Sequence, residues 1–373
     1  MKFNNLDKYK VGGTYSHKKL AIPLPKTPDG RVYRYSPNEK THPRHFILGE
    51  VQKDFVITDE ARKRMKLPPH SKQTVCPYSG VIADDQDFTH PEDKEAALEI
   101  VKHAALADIS QAFHDMFRGL GHKFSSGVIT IKTSGTPRYK PRPNFWRQDL
   151  LREIVCDHCG RDYGVFAIGL FCPDCGAPNL KLHFAREVTL VSKQVALAEG
   201  QQDNQELAYR LMGNAHEDVL TAFEATLKTV YLYGIEHLAN GIAKPPRNDF
   251  QNIEKAQARF SELTLNPFSV LTPDEMETLN LNIQKRHIIG HNLSIMDDKF
   301  SDYASTVKLG ETVRLVGADI IEFAALTQRV IDALDGWLVT GSTPKLMSTF
   351  SSPSAKSEKS ESYELRQKDG HDE

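Results

Sequence analysis

The stretch CDHCGRDYGVFAIGLFCPDCG, residues 156–176, holds four of the five cysteines in the chain. They form two C-x2-C pairs, Cys156 with Cys159 and Cys172 with Cys175, with twelve residues between the pairs. Each pair brings two thiolates to one point, and the glycine that follows each pair permits a tight turn. Four thiolates in a tetrahedron make a structural metal site that has no position open for catalysis. In an intracellular protein, clustered cysteines indicate a metal rather than disulfides.

This spacing resembles a zinc ribbon, in which a hairpin joins the two pairs. We therefore expect one structural Zn2+ as the cofactor, held by the four cysteines. The competing interpretation is a set of free or redox-active thiols. Cys76, in the stretch VCPYSG, has no partner cysteine, and we expect a small buried residue there. Because His90 lies close in sequence, a role of Cys76 as a metal ligand stays open.

Length and composition are those of an ordinary globular protein. The 373 residues are enough for two or three hydrophobic cores, and 39% of them are hydrophobic and 26% charged. No apolar run approaches the length of a membrane span, and the first residues, MKFNNLDKYK, are too polar for a secretory signal. We therefore expect a cytoplasmic protein that has no contact with a membrane.

Positive charge is concentrated near the start of the chain. The net charge is −2, yet residues 1–50 hold ten Lys/Arg against four Asp/Glu. Such an excess suits contact with a polyanion, and it is also common on a solvated surface.

A basic and aromatic segment, PRYKPRPNFWRQDLLR (residues 137–152), lies just before the cysteines. Cations next to aromatic rings provide the phosphate contact and the base stacking that single-stranded nucleic acid needs. The alternative is a proline-stiffened linker with solvated arginines. The candidate RNA-binding residues are Arg138, Lys140, Arg142, Trp146 and Arg147.

Hydrophobic spacing divides the chain into a mixed first half and a helical second half. Strands are predicted for RVYRY (31–35), HFILGEV (45–51), GVITIKT (127–133), YGVFAIG (163–169) and LKLHFAREVTLV (180–191). Long helices are predicted for residues 89–117, 207–235 and 313–337. A further helix is predicted to begin at a capping box formed by Thr272 and Glu275.

The helix that follows Thr272 contains RHIIGHN, in which Arg286, His287 and His291 interrupt the apolar pattern. These side chains are costly to bury unless they are paired. A histidine has a pKa near neutrality and can move protons, and an arginine can hold a phosphate with two parallel hydrogen bonds. Metal-free cleavage of RNA needs a base for the 2′-hydroxyl, an acid for the leaving oxygen and a cation for the phosphate. The motif contains residue types for all three tasks.

An R-x4-H motif in a helical region resembles the HEPN family, the small helical bundles of many prokaryotic toxins and defence proteins. The resemblance covers about residues 200–340 and implies a metal-independent endoribonuclease that acts on RNA in antiviral defence. It implies that His291 is the acid/base, that Arg286 clamps the phosphate and that His287 orients one of them or transfers the second proton. It also implies a homodimer through the helical domain, restrained until a viral or regulatory trigger arrives.

Two other interpretations of the motif stay open. His287 and His291 are four residues apart, a spacing that also suits metal ligation with Asp297 or Asp298 as a third ligand. The motif is also compatible with the polar face of a helical module that binds without cutting. Acidic residues that would orient a histidine lie on the first long helix, and the candidates are Glu217, Asp218 and Glu224.

The sequence thus predicts an α+β multidomain protein. Residues 1–125 are a mixed α/β region with one long helix, and residues 126–198 are a four-cysteine zinc-ribbon module with flanking strands. Residues 199–340 form an all-α HEPN-like helical bundle, and residues 341–373, rich in Ser, Lys and Glu, are a disordered tail. The predicted function is RNA cleavage. The alternative is a non-catalytic, zinc-containing adaptor that binds nucleic acid or a partner protein.

Overall fold

The computed structural model describes residues 4–14, 17–23, 26–120, 151–238, 246–291, 295 and 310–341. Within these ranges the description excludes the side chains of residues 114, 117–120, 238, 287, 290, 291 and 341. Helices and small antiparallel sheets occur together, so the predicted α+β class is confirmed. No described helix combines the length and the apolar character needed to span a membrane.

The strands of the described residues pair antiparallel. In chain order they are β1 (Lys10–Gly13), β2 (Lys18–Leu20), β3 (Val32–Tyr35), β4 (His45–Val51), β5 (Gln73–Val75), β6 (Ile82–Asp84), β7 (Arg152–Val155) and β8 (Arg161–Val165). β1 pairs with β2, and β5 pairs with β6. The larger sheet has the order β3-β4-β8-β7, so it joins strands of the first region to strands that flank the first cysteine pair.

Two of the predicted strands are confirmed. RVYRY corresponds to β3, and HFILGEV corresponds to β4. Of YGVFAIG, only the first three residues lie in β8. Phe46 and Ile47 of β4 are buried and lie opposite Val165 and Gly164 of β8. GVITIKT lies outside the described residues, as does the tail after residue 341.

Helices dominate the chain after the cysteines. In chain order the α-helices are α1 (Asp59–Arg64), α2 (Pro91–Leu120), α3 (Leu180–Glu199), α4 (Gln205–Leu238), α5 (Ile253–Ser261), α6 (Pro273–His291) and α7 (Gly317–Gly341). The capping box before α6 is confirmed. The N–H of Thr272 donates to Glu275 Oε2 at 2.8 Å, and the N–H of Glu275 donates to Thr272 Oγ1 at 3.3 Å.

The prediction of a strand over residues 180–191 is wrong, because this stretch forms the first part of α3. Its valines and threonine favour a strand by intrinsic propensity. The buried residues nevertheless recur at helical spacing, with Leu180, Phe184, Val191, Val195 and Ala198 on one face. Packing of that face therefore overrides the local preference.

The main core lies where α3, α4 and α7 pack against one another. Phe223, Leu227 and Phe323 are almost completely buried there. Phe171, between the two cysteine pairs, and Val75 of β5 belong to the same core. Although α3 begins within the segment predicted to be the ribbon module, it packs mainly against the helices that follow.

Candidate metal centre and arginine site

The four cysteines of the ribbon lie together and are buried. Their Sγ atoms all lie within 4.8 Å of one another. Cys156 Sγ is 3.9 Å from Cys175 Sγ, and Cys159 Sγ is 3.6 Å from Cys172 Sγ. A tetrahedral Zn2+ with thiolate ligands requires sulfur atoms about 3.8 Å apart. The cluster can therefore hold a metal ion, and its dimensions fit zinc.

Each C-x2-C pair is shaped by the same two main-chain hydrogen bonds. In the first turn, Gly160 N–H donates to the oxygen of Cys156 at 2.9 Å, and Cys156 N–H donates to Arg161 at 2.9 Å. In the second, Gly176 N–H donates to the oxygen of Cys172 at 2.9 Å, and Cys172 N–H donates to the oxygen of Ala177 at 2.8 Å. The φ angles of Gly160 and Gly176 are +69° and +71°, a region that favours glycine.

A third turn of this kind surrounds Cys76. Gly80 N–H donates to the oxygen of Cys76 at 2.9 Å, Cys76 N–H donates to Val81 at 2.8 Å, and the φ angle of Gly80 is +68°. Ser79 occupies the position of the second cysteine. The shared pattern C-P-x-x-G at 76–80 and 172–176 was the sequence signal for this turn, and our sequence reasoning missed it.

Cys76 is fully buried, as predicted. Among the described residues, the only group of three or more potential metal ligands is the ribbon cluster, which contains neither Cys76 nor His90. The ring of His90 instead contacts Tyr35, with the ring centroids 4.6 Å apart.

Polar groups around the ribbon cysteines support negative charge on sulfur. The main-chain N–H of His158 points to Cys156 Sγ at 3.4 Å. Hydrogen bonds from the neighbouring thiols, first from Cys159, hold the pKa of Cys156 far below its usual value. Burial raises the pKa of the Cys172 thiol.

Arg286 lies on α6 and is paired with a carboxylate from another helix. Its NH1 atom is 2.7 Å from Oε1 of Glu224 on α4. Gln251 donates from Nε2 to the other oxygen of Glu224 at 3.1 Å. The side chain of Arg286 is 35% exposed and that of Glu224 is 16% exposed. The arginine is therefore anchored between helices and still accessible from solvent.

The two histidines of the motif are placed only by their backbone. His287 lies in α6 and His291 is its last residue, but both side chains lie outside the described part, as do Asp297 and Asp298. Of the acidic residues considered as partners for a histidine, Glu224 pairs with Arg286. Asp218 accepts a hydrogen bond from Gln194 at 2.7 Å.

A buried histidine that the sequence analysis did not single out lies on α4. His216 is 1% exposed and stacks on Phe323, with ring centroids 5.2 Å apart. Buried Asn282 of α6 lies beside the ring, and its side chain favours the protonated form of His216. Burial, with help from Lys285, lowers the pKa of His216 to about 4, so the ring is neutral at pH 7.

The candidate RNA-binding residues Arg138, Lys140, Arg142, Trp146 and Arg147 lie outside the described residues. Comparisons of the chain with protein-family models, with curated proteins and with solved structures found no match. The resemblance to the HEPN family therefore rests on the motif and on its helical setting, and it stays a prediction.

Proposed function

We propose that this chain is a metal-independent endoribonuclease whose reacting groups are Arg286, His287 and His291 of α6. The observation that carries the proposal is the ion pair between Arg286 and Glu224. It anchors a guanidinium that is partly open to solvent, on the helix that ends at His291. A guanidinium has several N–H donors, so contact with Glu224 leaves others for a phosphate.

The reaction needs no cofactor. The 2′-oxygen of the RNA attacks the adjacent phosphorus, while an imidazole takes the 2′-hydroxyl proton. The bond between phosphorus and the 5′-oxygen breaks, and a protonated imidazole gives that oxygen its proton. The products are a 2′,3′-cyclic phosphate and a 5′-hydroxyl. In this scheme His291 is the acid/base, His287 orients it or transfers the second proton, and Arg286 stabilises the charge on the phosphate.

The cysteine cluster has a structural role in this proposal. Four thiolates fill the coordination of Zn2+, which leaves no position for a water or a substrate. A homodimer through the helical region, restraint until a viral or regulatory trigger arrives, and a role in antiviral defence follow from the family resemblance. Contact of the basic segment around Trp146 with RNA is part of the same proposal.

A non-catalytic adaptor is the second candidate, and the same ion pair also supports this alternative. Glu224 offsets the charge of Arg286, which weakens the attraction of a phosphate to that arginine. An adaptor that binds RNA or a partner protein needs only the basic segment and the zinc-braced scaffold.

Cleavage of labelled RNA in EDTA distinguishes the two candidates. We expect the wild type to cut the RNA. The cleavage rate of His291→Ala should be lower by about 100-fold or by a larger factor, because acid–base catalysis contributes about that much. A matched control is Arg210→Gln on the exposed side of α4, which should cut like the wild type. Cutting that survives His291→Ala or needs a divalent ion contradicts the proposal. RNA binding without cutting, both in buffer and with added extract of virus-infected cells as a source of the trigger, supports the adaptor.

A further inference from the structure

A cavity of about 490 Å3 lies between α3, α4 and the first residue of β7. Its middle is apolar, with Leu190 and Val191 from α3 and Ala222 from α4. His183 and Gln194 of α3 also line it. Eleven residues of helix separate these two, so they are about 16 Å apart along the helix axis. The cavity is therefore elongated, with apolar walls between two polar ends.

One end of the cavity is built around Arg152. Its Nε atom forms an ion pair with Glu187 Oε1 at 3.0 Å, and its NH1 atom lies 3.2 Å from His183 Nε2. A guanidinium only donates hydrogen bonds, so His183 accepts at Nε2 and carries its proton on Nδ1. Burial and the nearby charges of Arg152 and Arg186 lower the pKa of His183 to about 3, which keeps the ring neutral.

The Nδ1–H of His183 is a buried donor that lacks a partner. The residue is 1% exposed, and no acceptor for Nδ1 occurs in the part of the chain that the structure describes. A buried donor without an acceptor destabilises the fold, because the group has lost its hydrogen bonds to water. Native proteins normally satisfy such a group with protein, water or ligand. A ligand with an acceptor at this end would remove that cost.

The charge at this end also favours an anion. Two guanidinium groups, of Arg152 and Arg186, act on His183, and one carboxylate, of Glu187, lies among them. Arg186 donates to a main-chain oxygen of Glu153 and not to a carboxylate. Arg186 lies outside the lining of the cavity but close enough to act on His183, so this end keeps a positive balance.

The opposite end needs a different group. Gln194 donates from Nε2 to Asp218 at 2.7 Å, whereas its Oε1 is buried and has no donor among the described residues. Lys193 and Asp218 both line this end, so their charges offset each other and a second anion gains no net attraction there. A ligand that carries an anion at one end only, and an apolar body, therefore fits the whole cavity.

We propose that this cavity binds a small, elongated monocarboxylate, with its carboxylate at Arg152 and His183 and its apolar chain between α3 and α4. The site is separate from Arg286 and does not depend on the proposed RNA cleavage. It adds a small-molecule site to the protein, next to the sheet that carries the cysteine cluster.

Isothermal titration calorimetry of the full-length, metal-loaded protein with octanoate tests the proposal. Octanoate should bind at one site per chain, and octylammonium and octan-1-ol should bind at least tenfold more weakly. Equal binding of octylammonium or octan-1-ol, or no binding of octanoate to the wild type, overturns the proposal.

Two variants test the location. Ala225 and Thr221 are exposed on α4 and line the cavity, so Ala225→Trp and Thr221→Trp should each block it and weaken octanoate binding at least tenfold. Ala258→Trp is the control, because Ala258 is an exposed helical alanine of α5 outside the cavity. Circular dichroism identifies which variants are folded. Octanoate binding that survives in a folded Ala225→Trp or Thr221→Trp protein rejects this location.

Discussion

Arg286 shows how one ion pair can position a side chain across two helices. Glu224 lies 62 residues earlier in the chain, and its carboxylate is itself oriented by Gln251. Because the pair is only partly buried, its contribution to stability is about 1 kcal/mol or less. Its effect on the position of the guanidinium matters more for the proposed chemistry, which depends on small distances.

Replacing Glu224 by Gln should separate stability from activity. The free energy of unfolding should fall by about 1 kcal/mol or less, whereas RNA cutting should slow about tenfold or more because Arg286 loses its anchor. The measurements are denaturant unfolding and single-turnover cleavage. Glu206→Gln is the control, since Glu206 pairs with Arg210 on the exposed face of the same helix. Unchanged cleavage in Glu224→Gln would show that the ion pair has no part in positioning.

The buried histidines predict how stability depends on pH. The pKa values of His216 and His183 are lowered from 6.5 to about 4 and about 3. Each ring is neutral in the folded protein but takes up a proton when the protein unfolds below pH 6.5. The contribution of the two neutral rings to the free energy of unfolding is therefore complete above pH 6.5. As pH falls towards 4 it is lost, with a slope of about 1.4 kcal/mol per pH unit for each histidine.

Replacing His216 by Leu tests this account. Unfolding free energies measured between pH 7 and pH 4.5 should fall less steeply in His216→Leu than in the wild type. The slopes should differ by about 1.4 kcal/mol per pH unit in the middle of that range. Parallel curves for the two proteins would mean that His216 is protonated without cost in the folded state.

At the scale of the elements, one type of turn occurs at Cys76, at Cys156 and at Cys172. The same main-chain hydrogen bonds and a glycine with positive φ shape all three. The turn at Cys76 has Ser79 where the other two turns have a cysteine. The turn geometry is therefore common to all three sites, and only the second thiol in the turns at Cys156 and Cys172 completes the four-sulfur cluster.

This difference predicts the metal content of two serine variants. Cys172→Ser should lose the metal and unfold at a lower temperature, because a structural metal contributes directly to folding free energy. Cys76→Ser should keep one zinc ion per chain, because Cys76 is not part of the four-sulfur cluster. Native mass spectrometry measures the metal content of both variants. Loss of zinc from Cys76→Ser would mean that Cys76 is a ligand after all.

Local signals explain which elements the sequence could predict. The capping box at Thr272 and the short apolar run in HFILGEV each act over a few residues, and both predictions are confirmed. The valines of α3 carry the wrong local signal, and only packing against α4 and α7 decides the helix. The contact between Arg286 and Glu224 joins residues that are distant in sequence, so no local pattern could indicate it.

At the scale of the molecule, the ribbon packs between the strands of the first region and the helices of the second half of the described structure. Its strands β7 and β8 extend the sheet of β3 and β4, and α3 follows directly from its second cysteine pair. Arg64 of α1 forms an ion pair with Asp335 of α7, whose carboxylate also accepts the N–H of Lys181 at 3.2 Å. The first region, the ribbon and the helices are therefore in contact through polar groups as well as through the core.

We propose that the chain cleaves RNA through attack by the 2′-hydroxyl, without a metal. The most direct test compares an RNA with its fully 2′-O-methylated form in EDTA, with the ends of the products identified by mass spectrometry. We expect that only the unmodified RNA is cut and that its products end in 2′,3′-cyclic phosphates. Cutting of the methylated RNA, or products with 5′-phosphates, would contradict it.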